Sequence, residues 1–202
     1  MKLLYGTKNE AKLASMRRTL FSLNIEIIGL NDLNNSNVPD VEEVGNSPLE
    51  NAVIKARAYY NEFHIPVFSC DSGLYFEGLS EELQPGVHVR TINGVYLTDD
   101  ELISYYSNLA KRYGDITARY KNAICLVVNE NIMYKSMEDN LSGESFIITS
   151  IPHNKRVKGF PLDSLSRHVP SGKYYYDIED YDIDGIELDK GFIEFFKKAL
   201  LM

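Results

Sequence analysis

MKLLYGTKNEAKLASM, residues 1–16, reads as a short apolar strand over Lys2 to Tyr5, a polar turn, and a helix. Leu13, Met16, Leu20 and Leu23 recur at helical spacing, so the segment after the turn is an amphipathic helix packed on one face. The turn Gly6-Thr7-Lys8-Asn9 therefore lies at a helix N-terminus. Unpaired backbone N–H groups and the positive end of the helix dipole make such a position favourable for an anion, a phosphate included. The turn alone leaves this open. It carries neither a Walker A pattern nor G-x-G-x-x-G, and polar turns join strands to helices in every α/β protein.

Working outward, apolar runs at 2–5, 25–28, 65–70, 123–128 and 145–151 are rich in Ile, Val, Phe and Tyr and read as strands. Helical patterns at 49–63, 99–113 and 191–201 lie between or after them. This alternation predicts an α/β fold, and the consecutive strands of the second half predict a mixed sheet. The 202 residues, 44% of them hydrophobic, suffice for one large domain or two lobes sharing a core.

No run approaches the eighteen apolar residues of a membrane span, and Gly6-Thr7-Lys8-Asn9 interrupts the first apolar stretch as no signal peptide would, so the expected location is the cytoplasm. A net charge of −8 argues against a nucleic-acid partner. Cys70 and Cys125 lie in strand-like runs and read as buried reduced thiols, and the four histidines show no metal-ligand spacing. His153 to Lys158 is locally basic, either a solvated loop or a holder of a small polyanion, and Tyr174 to Asp189 is an acidic but Tyr- and Ile-rich segment expected to be ordered.

Ser47-Pro48-Leu49-Glu50 is a capping box with proline at the first helical position; Ser47 should cap and Glu50 should reach back. In that register Asn51 and Lys55 share a face opposite the stripe Leu49, Val53, Ala56, Tyr60 and Phe63, with Glu42 and Glu43 just ahead of the cap. Asp71-Ser72-Gly73 follows the strand 65–70, which puts Asp71 at a strand's C-terminal end, where α/β sheets bind ligands. Asp71 could hold a metal, activate water, or form a turn with Ser72 and Gly73.

These parts occur in the order and spacing of a known family. The sequence resembles the house-cleaning pyrophosphatases of inosine and xanthosine triphosphates. Their T-x-N-x-x-K is Thr7, Asn9 and Lys12; their E-x-G and E-N-A-x-x-K-A are Glu43, Gly45, Glu50-Asn51-Ala52 and Lys55-Ala56. D-S-G-L is Asp71 to Leu74, and P-G…R is Pro85-Gly86 and Arg90. Further on, Gly159-Phe160-Pro161-Leu162-Asp163 is similar to the family's G-F-x-[YW]-D loop, with Leu162 in place of the aromatic. Where the family carries a Lys and a Ser-His-Arg, this chain has Asp184 and Asp189-Lys190.

The resemblance implies an elongated mixed sheet with flanking helices, forming two lobes around a central nucleotide-binding cleft, and a homodimer. It implies Mg²⁺-dependent hydrolysis of a nucleoside triphosphate to monophosphate and pyrophosphate. Asp71 would be the catalytic base, and Asp71 and Glu43, with Glu42 a second candidate, the metal ligands. Thr7, Asn9, Lys12 and Lys55 would hold the phosphate chain, Lys8, Ser72 and Arg90 would also bind the substrate, and Phe160, Asp163 and Lys190 would bind its base. The altered base-reading positions keep open an alternative, a nucleotide-binding sensor or scaffold whose turnover is lost or shifted.

Overall fold

The computed structural model describes residues 1–33, 38–179 and 186–201. The chain divides into two compact units, Met1–Ser72 with Lys121–Ser142 and Gly185–Met202, and Gly73–Tyr120 with Gly143–Asp184.

In the first unit β1 (Lys2–Tyr5) lies parallel to β2 (Glu26–Gly29), Leu4 opposite Ile28, and to β3 (Val67–Phe76), Tyr5 opposite Phe68. The order continues β2-β1-β3-β6, and β7 (Ile132–Ser136) pairs antiparallel with β6 (Ile116–Asn129). Side chains alternate across a strand, so the sheet has two apolar faces. Leu3, Tyr5, Phe68, Ile124 and Leu126 form one core with Leu13 and Met16 of α1 (Glu10–Thr19) and Phe192 and Phe196 of α4 (Ile186–Leu200). Leu4, Val67, Ala123, Cys125 and Val127 form the other with Ala52, Ala56 and Tyr59 of α2 (Pro48–Phe63). Tyr5 stacks on Phe68 at 4.5 Å, and Phe196 meets Phe68 edge-on at 5.0 Å. Such pairs add about 0.5–1.5 kcal/mol each beyond area burial.

In the second unit α3 (Asp99–Tyr113) starts in a complete capping box, Thr98 with Glu101, and buries Leu102, Ile103, Tyr106 and Ala110. These pack with Leu74, Phe76, Ile116, Ala118, Phe146, Ile148, Leu162 and Leu165. Here β8 (Phe146–Ile148) lies antiparallel to β6 and to β9 (Ser166–His168). A separate hairpin joins β4 (Thr91–Ile92) to β5 (Val95–Tyr96) through Asn93 and Gly94, whose φ values of 50° and 80° suit a tight two-residue turn.

The mixed α/β architecture agrees with the sequence reading, with three departures. Strand β3 does not stop at residue 70 but runs to Phe76, so Asp71-Ser72-Gly73 lies within a strand rather than at its end. Turn propensity in Asp-Ser-Gly is overridden because Leu74 and Gly86 exchange backbone hydrogen bonds of 2.8 and 3.0 Å. Strands β7 and β9 and the hairpin were not expected; they are short or exposed and lack a continuous apolar run. Helix α4 begins at Ile186, five residues early, so positions 189 and 190 fall within it. Asp184 lies outside the described residues. Cys70 and Cys125 are free thiols, and burial pushes them up to about 12 and about 11. Among the described residues no helix is long and apolar enough to cross a membrane.

Candidate active site

The site grows from close backbone packing in the first unit. Gly6 donates its N–H to the Phe68 carbonyl at 2.8 Å and accepts from the Ser69 hydroxyl at 3.3 Å. A Cβ there would collide with Ser69 Oγ and lie 2.5 Å from Tyr59 Cδ2. Gly6→Ala is therefore expected to cost about 1–3 kcal/mol of stability. Urea unfolding checks this; an unchanged midpoint would mean that the turn can move away.

Past Gly6, Asn9 caps α1, its Oδ1 accepting from the N–H groups of Ala11 at 2.9 Å and Lys12 at 3.2 Å. Thr7 Oγ accepts from the Asn9 N–H at 3.2 Å. Two of the N–H groups at this helix N-terminus are thus taken by the Asn9 cap, because an Asx cap satisfies the same orphan donors that an anion would. The amide N–H₂ of Asn9 and the Thr7 O–H are not used in the cap. Lys8 is exposed and paired with Asp40 at 2.9 Å, so it does not join Lys12.

Helix α2 delivers the next groups. Ser47 Oγ accepts from the Glu50 N–H at 3.3 Å, as expected, but Glu50 reaches the N–H of Asn46 at 2.7 Å, one residue ahead of the cap. Asn51 is 2% exposed and its Oδ1 accepts from the Gly45 N–H at 2.8 Å. Gly45 has no room for a Cβ, which would lie 2.6 Å from that Oδ1. This clamp holds the Glu42–Gly45 loop against the helix. Asn51 and Lys55 therefore belong to the covered side of α2, not to a face opposite the apolar stripe. The most buried residues run through Asn51, Ala52, Ala56 and Tyr59, while Leu49, Val53, Tyr60 and Phe63 are half-buried.

Lys55 is the centre. Its ammonium lies 2.9 Å from Asp71 Oδ1 and 3.2 Å from Glu43 Oε1, with side-chain exposures of 12%, 10% and 46% respectively. Burial alone would lower the Lys55 pKa, but the two carboxylates outweigh it and raise it. Lys12 goes the other way, lowered by burial and then by the Lys55 charge. The second oxygen, Asp71 Oδ2, is buried and has no hydrogen-bond partner among the described residues. Glu42 and Glu43 are both exposed, and it is Glu43 that reaches Lys55. Ser72 is half-buried and, one residue on from Asp71, points to the opposite sheet face. Lys190 is exposed on α4.

Arg90, Phe160 and Asp163 belong to the second unit. Arg90 pairs with Asp99 at 2.7 Å. Phe160 is half-buried ahead of the 3-10 turn Pro161–Leu165, whose fold buries Leu162 in the core. Burial pushes Asp163 up to about 6. A residue absent from the sequence reading joins them: Tyr120, raised by burial and by the Asp163 charge, lowered by Arg90. It stacks on Phe146 at 5.5 Å, and no spacing in the sequence announces it.

The model of the Ham1 family matches residues 3–164. The chain belongs to the Ham1 family. A dITP/XTP pyrophosphatase of Christiangramia forsetii is 33% identical over 178 residues, 85% of this chain and 83% of that protein. A dITP/XTP pyrophosphatase of Coxiella burnetii is 33% identical over 133 residues, 65% of this chain; the match spans 64% of that relative's length. The solved structure of a HAM1 protein from Coxiella burnetii is similar over 100% of this chain and 98% of its own, with a TM-score of 0.76 and 26% identity.

In this Ham1 chain the raised Asp163 has a stability consequence. Its folded pKa of about 6 exceeds the ordinary 3.8, so the folded state holds the proton more tightly. That contribution is complete below about pH 4 and is lost as pH rises through about 6. Asp163→Asn should abolish this slope and raise stability at pH 7 by up to ~3 kcal/mol. Melting temperatures across that range decide it; parallel profiles for the two proteins would show that Asp163 is well solvated.

Proposed function

We propose that this chain hydrolyses non-standard purine nucleoside triphosphates to the monophosphate and pyrophosphate, with Mg²⁺ held by Asp71 and Glu43. As a Ham1-family member with relatives named dITP/XTP pyrophosphatase, it is a hydrolase of triphosphate anhydride bonds. The observation that carries the metal is Asp71: one oxygen lies on Lys55 and the other is buried without a partner among the described residues. An unsatisfied buried acceptor costs about 1–3 kcal/mol, more when charged, and a cation offsets that cost.

The donor chemistry fits. Among the described residues no cluster of three or more His, Cys, Asp or Glu could hold a metal, but Mg²⁺ characteristically takes one or two carboxylates and completes its shell with waters and substrate phosphates. When bound, the ion would polarise phosphate oxygens and lower the pKa of a water. The remaining work falls to the chain. Lys12 and Lys55 neutralise the phosphate chain, and Lys12, lowered by its surroundings, regains a favourable charge beside an anion. Asn9 and Thr7 hold the turn that presents Lys12. Asp71 accepts the proton of the water that attacks the α-phosphorus as pyrophosphate leaves. Phe160 stacks on the base and Asp163 meets its edge, as the family resemblance implies. A metal-and-base arrangement of this kind weighs against a pure sensor, which would not need it.

A panel of nucleoside triphosphates with Mg²⁺, read for pyrophosphate, tests the activity; release of inorganic phosphate, or of nothing, overturns it. Calorimetric titration with Mg²⁺ tests the ligands separately: Asp71→Asn should abolish the binding isotherm. The homodimer and the cytoplasmic location belong to the same proposal, and a single-copy mass in solution would remove the first.

A further inference from the structure

Tyr176 lies in the 3-10 turn Tyr175–Asp177 of the second unit. Its hydroxyl is buried and has no hydrogen-bond partner among the described residues. Its neighbours are satisfied: the Tyr175 O–H donates to Glu144 at 3.0 Å and the Tyr174 O–H to the Ile151 carbonyl at 2.5 Å. The Tyr176 ring is held from two sides. The His153 imidazole lies 5.3 Å away, itself 3.2 Å from Asp177, and the Lys155 ammonium stands 4.9 Å from the ring centroid. The 3-10 turn Pro161–Leu165, which carries Asp163, packs against the turn Tyr175–Asp177, so Asp163 and this phenol share one neighbourhood, and after burial the Asp163 charge raises the Tyr176 hydroxyl while Arg156 opposes it.

A fixed ring with an orphaned O–H has the character of a recognition group rather than of core filler, since phenylalanine would fill the same volume without the desolvation cost. Ionised Asp163 only accepts, whereas the Tyr176 phenol has a proton to donate. An acceptor beside a donor complements the N1–H and 6-oxo edge of hypoxanthine, xanthine or guanine. Adenine reverses both positions, with a bare N1 and a 6-amino group.

We propose that Tyr176 determines base specificity, its hydroxyl donating to the 6-oxo group of a purine whose N1–H donates to Asp163. This rests on the pyrophosphatase reading above and names a residue outside the motifs that carry the resemblance. It also gives the loop a polar aromatic group where Leu162, the position at which an aromatic was expected, is buried in the core.

The test is Tyr176→Phe, which deletes the oxygen and little else. Specificity constants for inosine and adenosine triphosphates, and dissociation constants for the two monophosphates by calorimetry, are measured in the wild type and the variant. The inosine-over-adenosine ratio should fall about tenfold, the value of one hydrogen bond, through weaker inosine binding with kcat little changed. Tyr175→Phe, whose hydroxyl is spent on Glu144, should leave the ratio unaltered. An unchanged ratio in Tyr176→Phe together with a raised melting temperature overturns the proposal, because a merely unsatisfied core hydroxyl behaves that way. If the wild type releases no pyrophosphate, the pyrophosphatase reading fails by itself, and the monophosphate titrations still decide the role of Tyr176.

Discussion

Asp71→Asn should lower turnover by roughly 10²–10⁴-fold while leaving the fold intact. The amide matches the carboxylate in volume, and its oxygen can still accept from Lys55, which lies 2.9 Å from Asp71 Oδ1. What disappears is the negative charge, the proton acceptor and the partnerless Oδ2, whose place an amide N–H₂ would take. Asn keeps a hydrogen bond to Lys55 but loses the charge that faces it and puts a buried N–H₂ in the place of Oδ2, so in the absence of metal the variant should melt lower than the wild type yet still cooperatively, a loss of stability that leaves it folded under assay conditions and separates a chemical defect from unfolding. Measuring kcat at saturating Mg²⁺ and substrate, with thermal melts alongside, decides the matter. Activity within tenfold of the wild type would make Asp71 a strand residue and nothing more.

Lys55→Ala should produce the largest stability loss of any single exchange at the site. It leaves Asp71, at 10% side-chain exposure, without its cation, and half-exposed Glu43 facing it. Removing one partner of a buried ion pair typically costs 3–5 kcal/mol; solvent reaching Glu43 places the expectation near the lower end, about 3 kcal/mol. Since the carboxylates raise the Lys55 pKa, the wild type should keep this contribution below about 10.5 and lose it only as pH rises through the folded value. Mg²⁺ should stabilise the variant more than the wild type, because a cation then relieves two unpaired carboxylates. Chemical denaturation with and without Mg²⁺ reads both effects. A loss under 1 kcal/mol, or equal stabilisation by Mg²⁺, would show that the cluster is solvated and holds no ion.

Both expectations turn on contacts that local sequence could not give, and the division has a physical basis. Spacing reports what happens within a turn of helix or along one strand, where neighbours in sequence are neighbours in space. The sequence by itself therefore determined the burial of Leu13, Met16, Leu20 and Leu23 in one core, although α1 ends at Thr19 and leaves Leu20 and Leu23 beyond it, and it determined the Ser47 cap of α2, the span of α3 and the short apolar strand Leu3-Leu4-Tyr5. The ordered motifs from Thr7 to Arg90 carried the family as well. Only the tertiary structure decided that Asp71 lies within a strand, since Leu74 is paired by Gly86 far from the Asp-Ser-Gly tripeptide. It alone set Lys55 between Asp71 and Glu43 rather than in solvent, gave Lys8 to Asp40, and separated Glu43 from Glu42. It also left the Tyr176 hydroxyl buried and unpaired among the described residues, which no spacing announces. Each of these joins groups far apart in the chain, and their charges and hydrogen bonds find one another only after the apolar faces have packed.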